Sequence, residues 1–149
     1  MKILLVDDKP SHRRAGKGQL EALGHEVTVV SDYTEARRLG QIQSFDVALL
    51  DLLMPAETTT LGPEAIGKYA GVEIDVGFPL MCSLTAAGIR RVAIATDTNH
   101  HNHPLSAMVD WFYHTPMTIN GAKVLILHCP MCDDQTKNWG KVLERLLSE

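Results

Sequence analysis

The sequence predicts an α/β fold built around a parallel sheet. Short apolar runs typical of strands buried on both faces, Ile3–Val6 and Val47–Leu50, alternate with longer segments of helical periodicity. Both runs end abruptly on carboxylates, Asp7-Asp8 and Asp51. Strands separated by helices of this length imply right-handed βαβ units and therefore a parallel sheet.

The first half of the chain holds three predicted strands and two predicted helices. Ser11 is a suitable N-cap for the first helix and Gly24 a suitable end. The valine-rich stretch that follows favours a strand. The assigned elements are strand Ile3–Val6, helix Ser11–Gly24, strand Glu26–Ser31, helix Thr34–Gln41 and strand Val47–Leu50.

The second half continues the alternation of helices and strands. Its last helix carries one apolar stripe, with Trp139, Val142 and Leu146 among the residues expected to face the core. The assigned elements are helix Phe78–Gly88, strand Arg91–Thr96, helix Ser106–His114, strand Val124–Leu127 and helix Asp133–Ser148.

Length and composition indicate one domain, residues 1–149. The net charge of −4 gives no basic surface for nucleic acid. No apolar run approaches the ~20 residues that a membrane-spanning helix needs. Three cysteines, an odd number, argue against a disulfide framework and indicate a reducing cytoplasm.

An acidic cluster is expected at the edge of the sheet where the strands end. If the first and third strands are neighbours, Asp7, Asp8 and Asp51 meet there and raise each other's pKa values. A divalent cation with oxygen ligands is the simplest neutraliser, and Mg²⁺ or Mn²⁺ suits such a carboxylate set.

The segments Lys2–Asp8 and Asp51–Pro55, together with Pro10, resemble the receiver domain of bacterial two-component response regulators. The resemblance is close over the first 55 residues and loose beyond them. It implies a flavodoxin-like, doubly wound sheet of five parallel strands in the order 2-1-3-4-5, with helices on both faces.

The same resemblance implies the roles of individual residues. Asp51 would accept a phosphoryl group, and Asp7, Asp8 and the backbone carbonyl of Leu53 would complete a metal site with it. Thr96 would supply the switch hydroxyl that bonds the phosphoryl oxygen.

The implied function is phosphorelay signalling by a stand-alone cytoplasmic receiver. A histidine kinase or phosphotransfer protein would phosphorylate Asp51, and a downstream protein would read the signal by contact. The protein would not be an enzyme beyond its own phosphorylation and dephosphorylation.

The chain departs from the receiver pattern at three places. An inserted loop at about residues 56–76 is either a lid over the acidic edge or a surface elaboration. Asp97, after the fourth strand, either adds a metal ligand or repels a phosphodonor. Cys129 stands where receivers carry a lysine, and Lys123 lies at the wrong end of its strand to substitute.

Two consequences follow from the cysteine. The phosphorylation switch is expected to be weakened, and Cys129→Lys is expected to strengthen it. The alternative function is therefore a phosphorylation-independent binding module, with or without a Cys/His metal site.

That Cys/His site is a zinc hypothesis. Cys129 and Cys132 follow the fifth strand, and His100 and His103 follow the fourth, so adjacent loops bring two thiols and two imidazoles to one edge. Buried cysteines and loop histidines without a metal explain the same residues.

Overall fold

The computed structural model describes residues 1–97, 107, 109–112 and 115–148. Its strands are β1 (Lys2–Val6), β2 (Glu26–Val30), β3 (Val47–Leu50), β4 (Met54–Pro55), β5 (Glu73–Ile74), β6 (Arg91–Thr96), β7 (Met117–Ile119) and β8 (Ala122–His128). Six of them form the central sheet in the order β2-β1-β3-β6-β8-β7, and β4 pairs with β5 in a separate two-stranded sheet.

The predicted parallel sheet is confirmed, but its strand count is wrong. The strands β2, β1, β3, β6 and β8 are parallel and follow the predicted order 2-1-3-4-5. The sixth strand, β7, pairs antiparallel with β8 at the edge of the sheet. Asn120 and Gly121 join these two strands, both with positive φ. An Asn-Gly turn is a strong hairpin signal, and it explains the additional strand.

Within the described part of the chain, six helices surround the central sheet or lie in the inserted segment. They are α1 (Pro10–Ala22), α2 (Tyr33–Ile42), α3 (Pro63–Tyr69), α4 (Gly77–Ala86), α5 (Val109–Phe112) and α6 (Trp139–Ser148). The rest of the predicted helix around α5 lies outside the described residues. Over the described part of the chain, no helix combines the length and apolar character needed to cross a membrane.

Alternate residues of each strand feed two separate cores. In β1, Leu4 and Val6 pack with the core residues of α2, α4 and α5. Ile3 and Leu5 point to the other face and pack with those of α1 and α6. Because successive side chains of a strand point to opposite faces, helices cover the sheet on both sides.

The last helix begins six residues later than predicted. Residues 130–138 form a loop closed on itself, in which the Asn138 amide donates to the Pro130 carbonyl at 2.7 Å. Met131 and Lys137 form an antiparallel bridge across it. We call residues 130–138 the β8–α6 loop. This loop decides the position of a charged group described below.

The inserted segment leaves and rejoins the fold at adjacent points. The Ala56 amide donates to the Val72 carbonyl at 2.9 Å, and the Gly71 amide donates to the Ala56 carbonyl at 2.8 Å. The segment borders a cavity of about 380 Å³ that Tyr33 and Pro79 also line, and none of the three aspartates lines it.

Candidate functional site

The three aspartates of the predicted cluster meet at the carboxyl edge of the sheet. One carboxylate oxygen from each of Asp7, Asp8 and Asp51 lies within 4.8 Å of the others. The register of the strands explains this meeting, because Val6 of β1 lies opposite Leu50 of β3. Asp7 and Asp51 are almost completely buried, and Asp8 is half-buried.

Backbone and side-chain hydrogen bonds fix the acidic residues in place. The Arg13 guanidinium donates from Nη1 to the carbonyls of Asp7 and Asp8, each at 2.7 Å. The Lys9 amide donates to Asp7 Oδ1 at 2.9 Å. The Leu52 amide donates to Asp51 Oδ1 at 2.7 Å. The chain therefore holds these carboxylates in one arrangement before any cation binds.

Lys137 supplies the cation that the sequence interpretation found missing. Its ammonium lies 2.7 Å from Asp51 Oδ1, 2.9 Å from Asp7 Oδ2 and 3.6 Å from Asp97 Oδ1. The Lys137 side chain is fully buried. The expectation that no lysine reaches Asp51 is therefore wrong, and the loss of the lysine at position 129 is no reason to expect a weakened switch.

The β8–α6 loop carries this lysine back toward the sheet edge. Gln135 adopts a positive φ of 64° and turns the loop. The bridge between Met131 and Lys137 then brings the lysine beside the end of β8. Next to it, the Cys129 amide donates to the Thr96 carbonyl at 2.8 Å. The ammonium thus arrives from a loop, whereas the sequence interpretation looked for it at the end of a strand.

Burial and neighbouring charges set the ionisation of the group. Burial raises the pKa of Asp51 to about 7, although the Lys137 ammonium opposes this shift. Burial and the Asp7 charge raise the pKa of Asp8. Burial works against the charge on Lys137, but Asp51, Asp7 and Asp97 outweigh it and raise the pKa of the ammonium. Lys137 is therefore permanently charged, while Asp51 binds a proton near neutral pH.

Asp97 belongs to ion pairs beside the cluster. Its Oδ2 accepts from Lys9 Nζ at 3.1 Å and contacts His12 Nε2 at 2.9 Å. Burial raises the pKa of Asp97, but Lys137, His12 and Lys9 together lower it below the usual range. The three-carboxylate group that resembles a metal site does not include Asp97.

The acidic cluster fits a hard divalent cation. Its ligand atoms are all carboxylate oxygens, the type that Mg²⁺ prefers. Asp8 Oδ1 is buried and has no hydrogen-bond partner among the described residues, so it is available to a metal. The role of the Leu53 carbonyl as a further ligand stays a prediction.

Thr96 lies at the end of β6, next to this cluster. It is 1% exposed, and its hydroxyl has no hydrogen-bond partner within the described ranges. A buried hydroxyl without a partner is costly unless another state of the protein satisfies it.

The zinc hypothesis is not supported. His100 and His103 lie outside the described residues. Burial raises the pKa of the Cys129 thiol to about 12, and its Sγ donates to the Pro130 carbonyl at 3.4 Å. The metal-type group found among the described residues is Asp7, Asp8 and Asp51, which contains no cysteine. Cys132 Sγ accepts from Gln19 Nε2 at 3.6 Å.

Sequence reasoning missed Lys137 and His12. Lys137 falls inside the predicted helix Asp133–Ser148, and nothing in its local sequence marks a buried cation. His12 is 4% exposed, and its ring joins Asp97 to the amide of Lys137. Its position in the first turn of α1, one residue before Arg13, was the one available signal.

The fold and the acidic edge together define a class of doubly wound α/β domain. No family model matches the chain. Solved receiver domains do match nearly all of it, and the fold is that of response regulator receiver domains.

Three of these structures illustrate the likeness. Response regulator TrrA of Thermotoga maritima, in complex with Mg²⁺-BeF, has a TM-score of 0.61 and 19% identity over 99% of this chain and 96% of that chain. The receiver domain of a sensor histidine kinase of Pseudomonas aeruginosa, with a magnesium ion in its active-site cleft, has a TM-score of 0.59 and 20% identity over 99% of this chain and 98% of that chain. Chemotaxis response regulator CheY4 of Vibrio cholerae has a TM-score of 0.58 and 21% identity over 97% of both chains.

Two relatives match a shorter stretch of sequence. Over 54 residues, 36% of this chain, the protein is 41% identical to Probable histidine kinase 1 of Oryza sativa subsp. indica. It is 39% identical over 54 residues to Probable transcriptional regulator ycf27 of Cyanophora paradoxa. The match spans 6% of the first relative and 23% of the second.

Proposed function

We propose that this protein is a single receiver domain, residues 1–149, that carries a phosphorelay signal through phosphorylation of Asp51. The observation that carries the proposal is the ammonium of Lys137, 2.7 Å from Asp51 Oδ1 and buried beside Asp7 and Asp8. A carboxylate flanked by a fixed cation and by a metal-type acidic pair is suited to accept a phosphoryl group.

The charges of the site support a metal-dependent reaction. Among the described residues, four carboxylates (Asp7, Asp8, Asp51 and Asp97) face two ammonium groups. When all four carboxylates are ionised, one divalent cation cancels the excess of two negative charges. Asp7, Asp8 and Asp51 would hold Mg²⁺, with the Leu53 carbonyl as the remaining proposed ligand. Bound there, the ion neutralises charge on the transferred group.

In the transfer, the ionised Asp51 carboxylate attacks the phosphorus of a phosphohistidine on a histidine kinase or phosphotransfer protein. A phosphorus–oxygen bond forms as the phosphorus–nitrogen bond breaks, and the imidazole leaves with the electron pair and takes up a proton. Lys137, already in contact with Oδ1, stays paired with the growing negative charge. Hydrolysis by water later returns the carboxylate and releases inorganic phosphate.

Thr96 would report the change. Its hydroxyl lacks a partner in the described part of the unphosphorylated protein. A phosphoryl oxygen on Asp51 would supply the acceptor and draw the end of β6 inward. A downstream protein would then recognise the altered surface, and the receiver would signal by contact, without enzymatic activity toward other substrates.

The alternative function is a phosphorylation-independent binding module, and the reason to consider it is the missing lysine at position 129. The ammonium of Lys137 beside Asp51 removes that reason. The alternative remains an outcome of the test below.

The test is phosphorylation by phosphoramidate in the presence of Mg²⁺, followed by intact mass measurement. We expect the wild type to gain one phosphoryl group, which Asp51→Asn and chelation of the metal abolish. Asp46→Asn, an exposed carboxylate before the same strand, should be phosphorylated like the wild type. No adduct on the wild type with Mg²⁺, or an equal adduct on Asp51→Asn, contradicts the proposal and favours the binding module.

A further inference from the structure

Lys137 reaches the acidic edge from a loop, and the first helix holds that loop. The Lys137 backbone amide donates to His12 Nδ1 at 3.3 Å. Its carbonyl accepts from Gln19 Nε2 at 3.1 Å. Both backbone hydrogen-bonding groups of the lysine are therefore satisfied by side chains of α1.

We propose that His12 and Gln19 are positioning residues that set the ammonium of Lys137 against Asp51. This inference rests on the proposed function only for its phosphoryl readout. Its other consequences concern the metal site and the lysine alone.

The hydrogen bonds of His12 define its tautomer. Because Nδ1 accepts the amide proton of Lys137, the ring proton lies on Nε2. Nε2 then donates to Asp97 Oδ2 at 2.9 Å. A neutral imidazole thus fixes the backbone of Lys137 on one side and the carboxylate of Asp97 on the other, so one buried side chain determines the distance between them.

Gln19 ties the same loop to the last helix. Its Oε1 accepts from the Gly140 amide at 3.2 Å, while its Nε2 donates to the carbonyl of Lys137. Nearby, Gly16 lets α1 approach Trp139 closely, because a Cβ at Gly16 would lie 2.5 Å from Trp139 Cδ1. The Trp139 ring lies 5.1 Å below the ammonium of Lys137. Helix α1 therefore supports Lys137, through hydrogen bonds to its backbone and through packing against the neighbouring Trp139.

Misplacing the ammonium has opposite effects on two ligands. Lys137 neutralises Asp7 and Asp51, two of the proposed metal ligands, so its withdrawal leaves more negative charge for Mg²⁺. The same withdrawal removes the cation that faces a phosphoryl group. Tighter Mg²⁺ and weaker phosphoryl binding together identify a positioning role, whereas simple loosening of the fold weakens both.

Two substitutions separate the functions of His12. His12→Asn places an amide oxygen where Nδ1 lies and keeps an acceptor for the Lys137 amide. His12→Gln reaches the position of Nε2, keeps a donor to Asp97 and loses that acceptor. His25→Gln, at the opposite edge of the sheet, is the matched control. Gln19→Glu keeps the acceptor for Gly140 and loses the donor to the Lys137 carbonyl.

The measurements are titration of the full chain with Mg²⁺ and, with Mg²⁺ present, with beryllofluoride as the phosphoryl probe. For His12→Gln and Gln19→Glu we expect ~5-fold tighter Mg²⁺ and ~5-fold weaker beryllofluoride binding, the effect of about one hydrogen bond. His12→Asn and His25→Gln should stay within ~2-fold of the wild type for both, less than one hydrogen bond is worth.

The inference is overturned if both affinities fall together, if neither changes, or if His12→Asn behaves like His12→Gln. Should His12→Gln not fold, Gln19→Glu decides by the same signs. If the wild type does not bind beryllofluoride while the Mg²⁺ affinities change as expected, the positioning role stands and the proposed phosphorylation fails.

Discussion

The two sides of the candidate site are built in different ways. The acidic side comes from strand ends: Asp7 follows β1 directly and Asp51 follows β3, so the register of the sheet brings them together. The cationic side comes from Lys137, in a loop after β8 held by hydrogen bonds from α1. A carboxylate directly after a strand is positioned by the register of the sheet. An ammonium on a long side chain can reach the same point from a loop elsewhere in the chain.

The largest expected effect comes from removing the ammonium. Lys137→Met leaves Asp7 and Asp51 buried without their cation, and breaking a buried pair costs roughly 3–5 kcal/mol of unfolding free energy. Urea unfolding in the presence of a chelator, at mildly alkaline pH where Asp51 is ionised, measures this cost. Millimolar Mg²⁺ should restore part of it, because the metal neutralises the same carboxylates.

Lys9→Met is the matched control for this prediction. Lys9 is also paired with Asp97, but its side chain is 39% exposed, so its loss should cost less than ~1 kcal/mol. Equal costs for the two substitutions would show that the two ammonium groups do not differ in role.

The pH dependence of stability tests the acidic side alone. Because the pKa of Asp51 is raised from 3.8 to about 7, the folded state holds its proton more tightly than the unfolded state. Its contribution to stability is present below pH ~4 and is lost as the pH rises through ~7, by at most ~4 kcal/mol.

Without metal, the wild type should therefore lose stability across this range, and Asp51→Asn should lose less. Denaturant midpoints at each pH provide the measurement, and Asp46→Asn should follow the wild type. Mg²⁺ should flatten the wild-type curve by binding the ionised form. A wild-type curve that rises from pH 4 to 7 contradicts the raised pKa of Asp51.

A cation swap tests whether the two routes to the site are equivalent. Cys129 is 3% exposed, and the charges of Lys137, Asp97 and Asp51 influence the pKa of its thiol. Cys129 therefore lies beside the cluster. Lys137→Met should weaken beryllofluoride binding by roughly one to two decades, the value of a charge-assisted hydrogen bond.

Adding Cys129→Lys to Lys137→Met should recover much of that loss. In the wild-type background, Cys129→Lys should bring no gain, because a second ammonium next to Lys137 is repelled. A gain from the single substitution would indicate that Lys137 does not face the phosphoryl group.

The smallest expected effect concerns the contact between the start of α4 and the acidic side. A Cβ at Gly77 would lie 2.5 Å from the carbonyl oxygen of Asp51 and 2.9 Å from the Cα of Leu52. Gly77→Ala should therefore destabilise the fold by ~1–3 kcal/mol and lower Mg²⁺ affinity, as the backbone of Asp51 shifts.

Gly67→Ala, within α3, is the control. A Cβ there meets no atom within 4 Å, and the substitution should stabilise by ~0.5–1 kcal/mol. Thermal unfolding with and without Mg²⁺ distinguishes the two. Unchanged Mg²⁺ affinity in Gly77→Ala would show that the start of α4 does not support the metal site.

The sequence predicted the acidic side because its signals are local. An apolar run that ends in aspartate states both the strand and the position of the carboxylate, so the meeting of Asp7, Asp8 and Asp51 follows from strand order. Such an argument needs no side-chain detail.

The sequence did not predict the cationic side because its signals are distant. Three of the residues that Lys137 contacts, His12, Gln19 and Asp7, lie more than a hundred residues away in the chain. Its local sequence suits a helix start or a surface turn equally well. Cys82 of α4 is exposed, and no local pattern predicts this, because the orientation of α4 depends on its packing against distant residues.

The pairing of Ala56 with the chain at Gly71 and Val72 has a consequence for the evolution of this protein. The stretch between these residues begins and ends at one point of the surface, so its length is uncoupled from the register of the central sheet. Chains can gain or lose such segments at that point at little cost, because closing a longer loop adds entropy only slowly. The edge beside Asp51 is therefore a place where descendants of this fold can attach new binding surfaces while the acidic cluster stays where it is.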